Sequence, residues 1–577
     1  MKKFKSLYIR GLLALTILGA ASCSIEEYNP SGVTPDAIWS TPEGMATAVN
    51  GAYHEVRYWY GKEDGMLMSE AGTDIWFNKG YVAQLSQYVG LSSGTNYIKS
   101  TWKSLYAGVN LCNGALDRID NVVYPTPAER QQAEGQLRFL RAFYYWHIVE
   151  TWGGVNLKLH ETANAGLTAK RSSVEAFYDV IISDLKIAVE YLPISWNLNY
   201  GRASKKSAMG MLARVYLSRA YYGDGPTYFA LARDIAKQVI DQKATLKTAL
   251  RSNYADLWSS AANNRANGKD NGEALFVIAN STNQTYNYDG NGNRLHAVYQ
   301  NPYNDYPGLT TNVDNGLSGS TANPVLLPTL ALLDMFDETK DSRYAGSFQE
   351  VWKANKAFTW SDLKNAKNND PKDSAVYGKS LANGDTAMYV TKRVVSNKST
   401  RRYTVYDRTT SYEPNGKFKN GTDNFVALKK FRDYNRTNAT SQPGFNDAII
   451  IRLAEMYMIA AEAEFQLGNP GIAADYINVL RTRAAIKTPV DQTAAMQVTA
   501  GEITLDFILD EYAREFAGEM RRWFDLKRTG KLTERVAALN PNISIMIDPN
   551  LYVRPISIDE MNALTNAAEF GQNQGYN

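Results

Sequence analysis

Residues 133–154 read AEGQLRFLRAFYYWHIVETWGG, and the rest of the chain has to be built around them. No Gly or Pro interrupts positions 136–152, and Ala, Leu, Arg and Glu favour helix. Leu137, Leu140, Tyr144, Ile148 and Thr151 recur at helical spacing. Phe139, Phe143 and Trp146 cover the flank, so the helix is apolar around most of its circumference. Such a helix is buried by neighbours on several sides. Gly153 and Gly154 end it, as glycine does just past a helix C-terminus. The stretch reads as a core helix with no chemistry of its own.

Its neighbours can be found at the same period. Residues 97–119 form a second long helix, and 133–152 pairs with 174–192 as a helical hairpin. Residues 204–222 and 227–240 make another, broken by Gly223-Asp224-Gly225-Pro226. Residues 447–467 continue the scheme with Ile450, Leu453, Ala454, Tyr457, Met458 and Ala461 in one stripe. Gly468 ends that helix, Asn469 suits the next N-cap and Pro470 its first turn, and 471–485 returns. Each pair is about the size of a tetratricopeptide repeat, near 34 residues. They are scattered through the chain, so the fold class is mainly α with helix pairs, long irregular loops and a few short strands.

The first residues read as an export signal. Lys2, Lys3, Lys5 and Arg10 precede an apolar run, 12–21, that is too short to span a bilayer. Cys23 follows the small residues Gly19-Ala20-Ala21-Ser22 and resembles the lipidated Cys of a bacterial lipobox, with Ala20 where Leu is usual. Residues 1–22 are then the signal peptide and 23–577 the mature chain. Its 58 basic and 59 acidic side chains nearly cancel, which leaves no basic footprint for nucleic acid. With Cys23 acylated, Cys112 alone remains and no intrachain disulfide can form.

Between the hairpins lie two long inserts, 243–323 and 358–445, rich in Asn, Gly, Ser and Tyr. Short strands fall at 274–278, 388–394 and 402–405. Loops of this length in a compact protein carry function or are disordered, and their Tyr and Trp argue for order. Two stretches combine aromatic rings with polar side chains, so each could stack on a ligand and hydrogen-bond it. The first supplies Asp74, Trp76, Asn78 and Tyr81. The second supplies Tyr286, Tyr288, His296, Tyr303, Asn304 and Tyr306. These ten are the candidate ligand-binding residues.

Several motifs resemble the SusD/RagB family. Leu137-Arg138-Phe139-Leu140-Arg141-Ala142-Phe143-Tyr144-Tyr145, running on to Trp152-Gly153-Gly154, is similar to its helix signature. Glu511-Tyr512-Ala513-Arg514-Glu515-Phe516 and Arg522-Trp523-Phe524-Asp525-Leu526-Lys527-Arg528 resemble its C-terminal signature, and Arg554-Pro555-Ile556 and Gln572-Asn573-Gln574-Gly575-Tyr576 match as well. The resemblance implies an N-terminal part over about 23–240 and a loop-rich C-terminal part over about 241–577. It implies a superhelix with four tetratricopeptide-like pairs and a lipid anchor in the outer membrane. It also implies binding of oligosaccharide or polysaccharide and delivery to a TonB-dependent transporter barrel. Some relatives capture peptides instead, which keeps a peptide receptor open. Ser24-Ile25-Glu26-Glu27 resembles a surface-sorting signal, although acidic residues suit a solvated tether equally.

Catalytic alternatives find little support. Gly90-Leu91-Ser92-Ser93-Gly94 fits G-x-S-x-G, but residues 84–88 make a poor core strand for a nucleophile elbow. His54, His147, His160 and His296 share no metal-ligand spacing. Asp289, Asn291 and Asn293 match positions one, three and five of a calcium loop, but Arg294 stands at six and Gln300 at twelve. A polar turn is the better reading, with no metal and no cofactor expected. Carboxylates for a glycosidase are plentiful, but no pair stands out. The acid–base run 510–528 reads as a helix-knitting element. The expectation is a binding protein, with a glycoside hydrolase or esterase as the alternative.

Overall fold

The computed structural model describes residues 38–78, 83–162, 167–259, 272–283, 293–316, 326–361, 372–420, 424–436, 438–441 and 443–576. The predicted core helix is α4, Pro127–Trp152. Thr126 caps it by accepting a hydrogen bond from the Glu129 amide, Pro127 occupies its first turn, and Gly153 ends it at φ 72°. From residue 139 to 152 every side chain is buried.

Helices stack around α4 in chain order. Upstream are α1 (Pro42–Gly61), the short α2 (Glu63–Glu70) and α3 (Asn96–Arg118). Gly108 of α3 lies against the Tyr144 ring of α4, where an added Cβ would stand 2.4 Å from ring carbon. Tyr144 reaches past it to donate to the Ala52 carbonyl of α1. Downstream, α5 (Val174–Tyr191) returns along α4, and α6 (Lys205–Ala220), α7 (Gly225–Asp241), α8 (Leu453–Gln466) and α9 (Pro470–Ala484) follow, each packed on the one before. The buried Asp184 of α5 accepts 2.7 and 2.9 Å bonds from Arg141.

The stripe assigned to one helix over 447–467 divides. Ala448–Arg452 is a strand, β7, and α8 begins at Leu453. β7 pairs antiparallel with β2 (Ala274–Ile278), placing Ala448 opposite Ile278 and Arg452 opposite Ala274. The run Ile449-Ile450-Ile451 is β-branched and favours a strand once a partner exists. That partner lies some 170 residues upstream, beyond the reach of a local period.

The inserts fold around small sheets. β1 (Trp76–Asn78) pairs with β3 (Leu326–Pro328). β4 (Val351–Lys353), β5 (Thr386–Val390) and β6 (Thr404–Tyr406) form a sheet whose last pair is parallel. Expected to project as a working face, the described insert rings largely turn inward. Trp360 is 1% exposed, and Tyr406 and Phe425 are also buried, while Tyr377 and Tyr434 stay exposed.

The run 510–528 knits across the molecule more than along its own helices. Among α10 (Leu505–Phe516), α11 (Arg522–Arg528) and α12 (Leu532–Leu539), the buried Glu511 and Glu515 take Arg343 at 2.8 and 3.0 Å. Glu515 also takes Arg452 at 2.7 Å, and Glu462 of α8 takes Arg528. Removing one partner of such a buried pair strands the other charge, at about 3–5 kcal/mol. Among the described residues no helix is long and apolar enough to cross a membrane.

Candidate functional site

The two aromatic stretches meet, but through their buried sides. The Trp76 ring is fully buried against Tyr299, with centroids 4.8 Å apart. Asp74 is fully buried as well. Its carboxylate receives 2.8 and 2.6 Å bonds from Arg522 and a 2.9 Å bond from Arg535. Burial would raise its pKa, but the two guanidinium groups outweigh burial and hold it below the usual carboxylate range. Asn78 is 1% exposed and sits opposite Leu326 in the β1–β3 pair.

The second stretch behaves alike. His296 is buried, and burial together with Arg436 and Arg294 pushes its imidazole well below its ordinary pKa. Tyr303 bonds the backbone carbonyls of Asn312 and Gly316 at 2.8 and 2.6 Å. The Tyr306 hydroxyl lies 2.8 Å from that of Tyr406 and accepts from Asn424. Asn304 keeps partial exposure and donates to Asp305 at 2.9 Å. Tyr81, Tyr286 and Tyr288 lie outside the described residues, as do Cys23 and the calcium-loop positions Asp289 and Asn291. Asn293 accepts from the Leu295 amide and donates to the Asn446 carbonyl, so its side chain closes a turn. The expectation of a stacking platform is therefore corrected for Asp74, Trp76, Asn78, His296, Tyr303 and Tyr306. All six are buried; Asp74 is spent on its ion pairs, and Tyr303 and Tyr306 spend their hydroxyls inside the inserts.

Concavity lies elsewhere. A hollow of about 480 Å³ opens between α1, the segment 194–203 and β2. The α1 face supplies Asn50, Tyr53, His54 and Arg57 at helical spacing, with Val56 beside them and Met45, Val49 and Ala52 buried toward the core. Across from them stand Leu198, Asn199, Tyr200 and Arg202, with Phe276–Ile278 as the floor. A second recess, of about 290 Å³, lies beside the same segment and adds Trp196, Lys206 and Lys247. The segment is held by its own bonds: Trp196 Nε1 donates to the Ala203 carbonyl at 2.6 Å, and the Ala203 amide donates to Tyr53 Oη at 2.8 Å. Gly201 sits where a Cβ would come within 2.9 Å of Ala279. Sequence reasoning missed this site. The polar set at 50, 53, 54 and 57 was its available signal.

The G-x-S-x-G motif is no elbow here. Ser92 is exposed in a turn that follows the short helix Ala83–Ser86 instead of a strand.

Comparison with known proteins places this architecture. A family model described as SusD family matches residues 256–576, more than half of the chain. The chain belongs to the SusD family. A second model, described as starch-binding associating with outer membrane, matches residues 26–217. The chain is 23% identical to SusD-like protein P25 of Formosa agariphila, over 94% of this chain and 93% of that one. It is 25% identical to the starch-binding protein SusD of Bacteroides thetaiotaomicron, over 85% and 81%. Among solved structures, a laminarin binding SusD-like protein shares the fold at TM-score 0.64 and 18% identity, covering 92% of this chain and 99% of that one. The SusD-family signatures hold the scaffold: Arg141 ties α4 to α5, and Glu511 and Glu515 sit inside the buried charge network.

Proposed function

We propose that this protein is a non-enzymatic, surface-exposed outer-membrane lipoprotein that binds oligosaccharides and passes them to a TonB-dependent transporter barrel. The observation that carries the reading is family membership along the chain's length, with a starch-binding model over the N-terminal part and a SusD model over the C-terminal part. Relatives whose names specify starch and laminarin support carbohydrate as the ligand class. The apparent lipobox at Cys23 supports the anchor.

Isothermal titration of the mature protein against oligosaccharide and peptide panels tests the ligand class. Binding of at least one oligosaccharide with no product released is the expected result. Capture of peptides alone, or turnover of a glycan, overturns it. In cells, Cys23→Ala is expected to leave the outer-membrane fraction, and a barrel of the transporter class is expected to co-purify with the parent protein.

A further inference from the structure

Resting on that carbohydrate reading, we propose that the hollow between α1 and the segment 194–203 is a subsite for an acidic sugar unit, one bearing a carboxylate or a sulfate. Its volume, about 480 Å³, falls in the usual range for small-ligand sites, about 300–1,000 Å³. Tyr53 and Tyr200 are half-buried and line the hollow, one from α1 and one from the facing segment, and aromatic side chains suit a pyranose.

The charge of the lining is one-sided. Arg57 and Arg202 line the hollow with His54, and Lys206 and Lys247 line the adjoining recess. Among the described residues that line either one, none is Asp or Glu. Glu55, beside His54 on α1, reaches it at 3.6 Å and accepts from Ser104 with its other oxygen. Arg202 spends its donors on neutral amides, Gln136 at 2.8 Å and Asn50 at 2.6 Å, and lies 5.9 Å from the Tyr53 ring centre. Some core arginines, among them Arg141, Arg214, Arg343 and Arg452, meet carboxylates instead, while the buried Arg436 bonds backbone carbonyls. Burial depresses the Arg57 pKa, its Nη2 donates to the neutral Ala279 carbonyl at 3.4 Å, and an anion in the hollow would offset the cost of burial. A guanidinium fork matches carboxylate and sulfate oxygens, and the two tyrosines of the same lining select a sugar over a bare ion.

The test is titration of the mature protein with four probes: a uronate oligosaccharide, a sulfated galacto-oligosaccharide, a neutral oligosaccharide and inorganic sulfate. One or both acidic oligosaccharides should bind, and which one assigns carboxylate or sulfate. Arg202→Gln should weaken that binding at least about tenfold. So should Asn199→Asp, which sets a negative charge on an exposed rim residue without touching the core. The neutral probe should lose less affinity than the acidic one in both variants. Failure of both acidic oligosaccharides, affinities unmoved by both variants, or binding of inorganic sulfate alone would each overturn the subsite. A neutral oligosaccharide that binds while the acidic ones fail removes the subsite and leaves the carbohydrate reading standing; failure of every oligosaccharide removes both.

Discussion

Trp76 shows what a residue type can and cannot announce. A tryptophan beside Asp and Asn in a loop reads as a ligand platform, yet its ring is fully buried on Tyr299. Trp76→Ala is therefore expected to cost stability, about 3–5 kcal/mol, seen as a lower urea midpoint. An unchanged midpoint would mean that the ring is not core. Composition carried the identity of the rings but not their direction, because loops lack the period that tells an inner face from an outer one. Glu70 is a second such residue. Burial raises its pKa to about 8, against the Arg521 amide bond and the Arg522 charge. The fold thus holds a proton that the unfolded chain gives up above its ordinary carboxyl range. Its contribution is full below that range and is lost as pH rises toward 8. Glu70→Gln should gain stability relative to the parent across this window, and urea melts at pH 5 and pH 8 measure the difference. His147, lowered to about 3 by burial, bends the absolute curve the other way below neutrality, so the comparison between the two proteins is the informative one.

At the scale of elements, the long helices were legible and the sheet joining them was not. The bounds of α5 and α9 and the end of α4 follow from caps, glycines and apolar spacing within one turn, but α4 begins at Pro127, six residues ahead of the expected 133. β2 was visible at its observed limits, Ala274–Ile278. Its partner β7 was concealed inside a helical stripe, since Ile450, Leu453 and Ala454 satisfy the helical period whichever way the backbone runs. The α1 helix was overlooked because its outer face carries the polar and aromatic set that lines the hollow. Contact between helices depends on small residues that a hydrophobic pattern passes over. Gly108→Ala pushes a methyl group against the Tyr144 ring, so α3 and α4 must separate. A loss of about 1–3 kcal/mol is expected, read as a lower melting temperature with helical content retained.

Across the whole molecule, the N-terminal and C-terminal parts share one core. α7 packs on α8, Arg214 pairs with Glu455 at 2.7 Å, and Asp74 is held by Arg522 and Arg535. A fragment ending near residue 240 is expected to stay unfolded when produced alone, with no sigmoidal melt by circular dichroism; a cooperative transition would mark an independent domain. The buried charge network has a further consequence for how the protein comes into being. Ribosomes release a chain from its amino end, so Asp74, Glu150 and Arg214 emerge hundreds of residues before Arg522, Lys527 and Glu455. Until the last eighth of the polypeptide arrives, Asp74 lacks both of its guanidinium partners and the early helices lack their closing surface. Premature stop codons near the carboxyl end should accordingly yield debris for proteases, and quality control can judge a molecule by whether its final helices have docked.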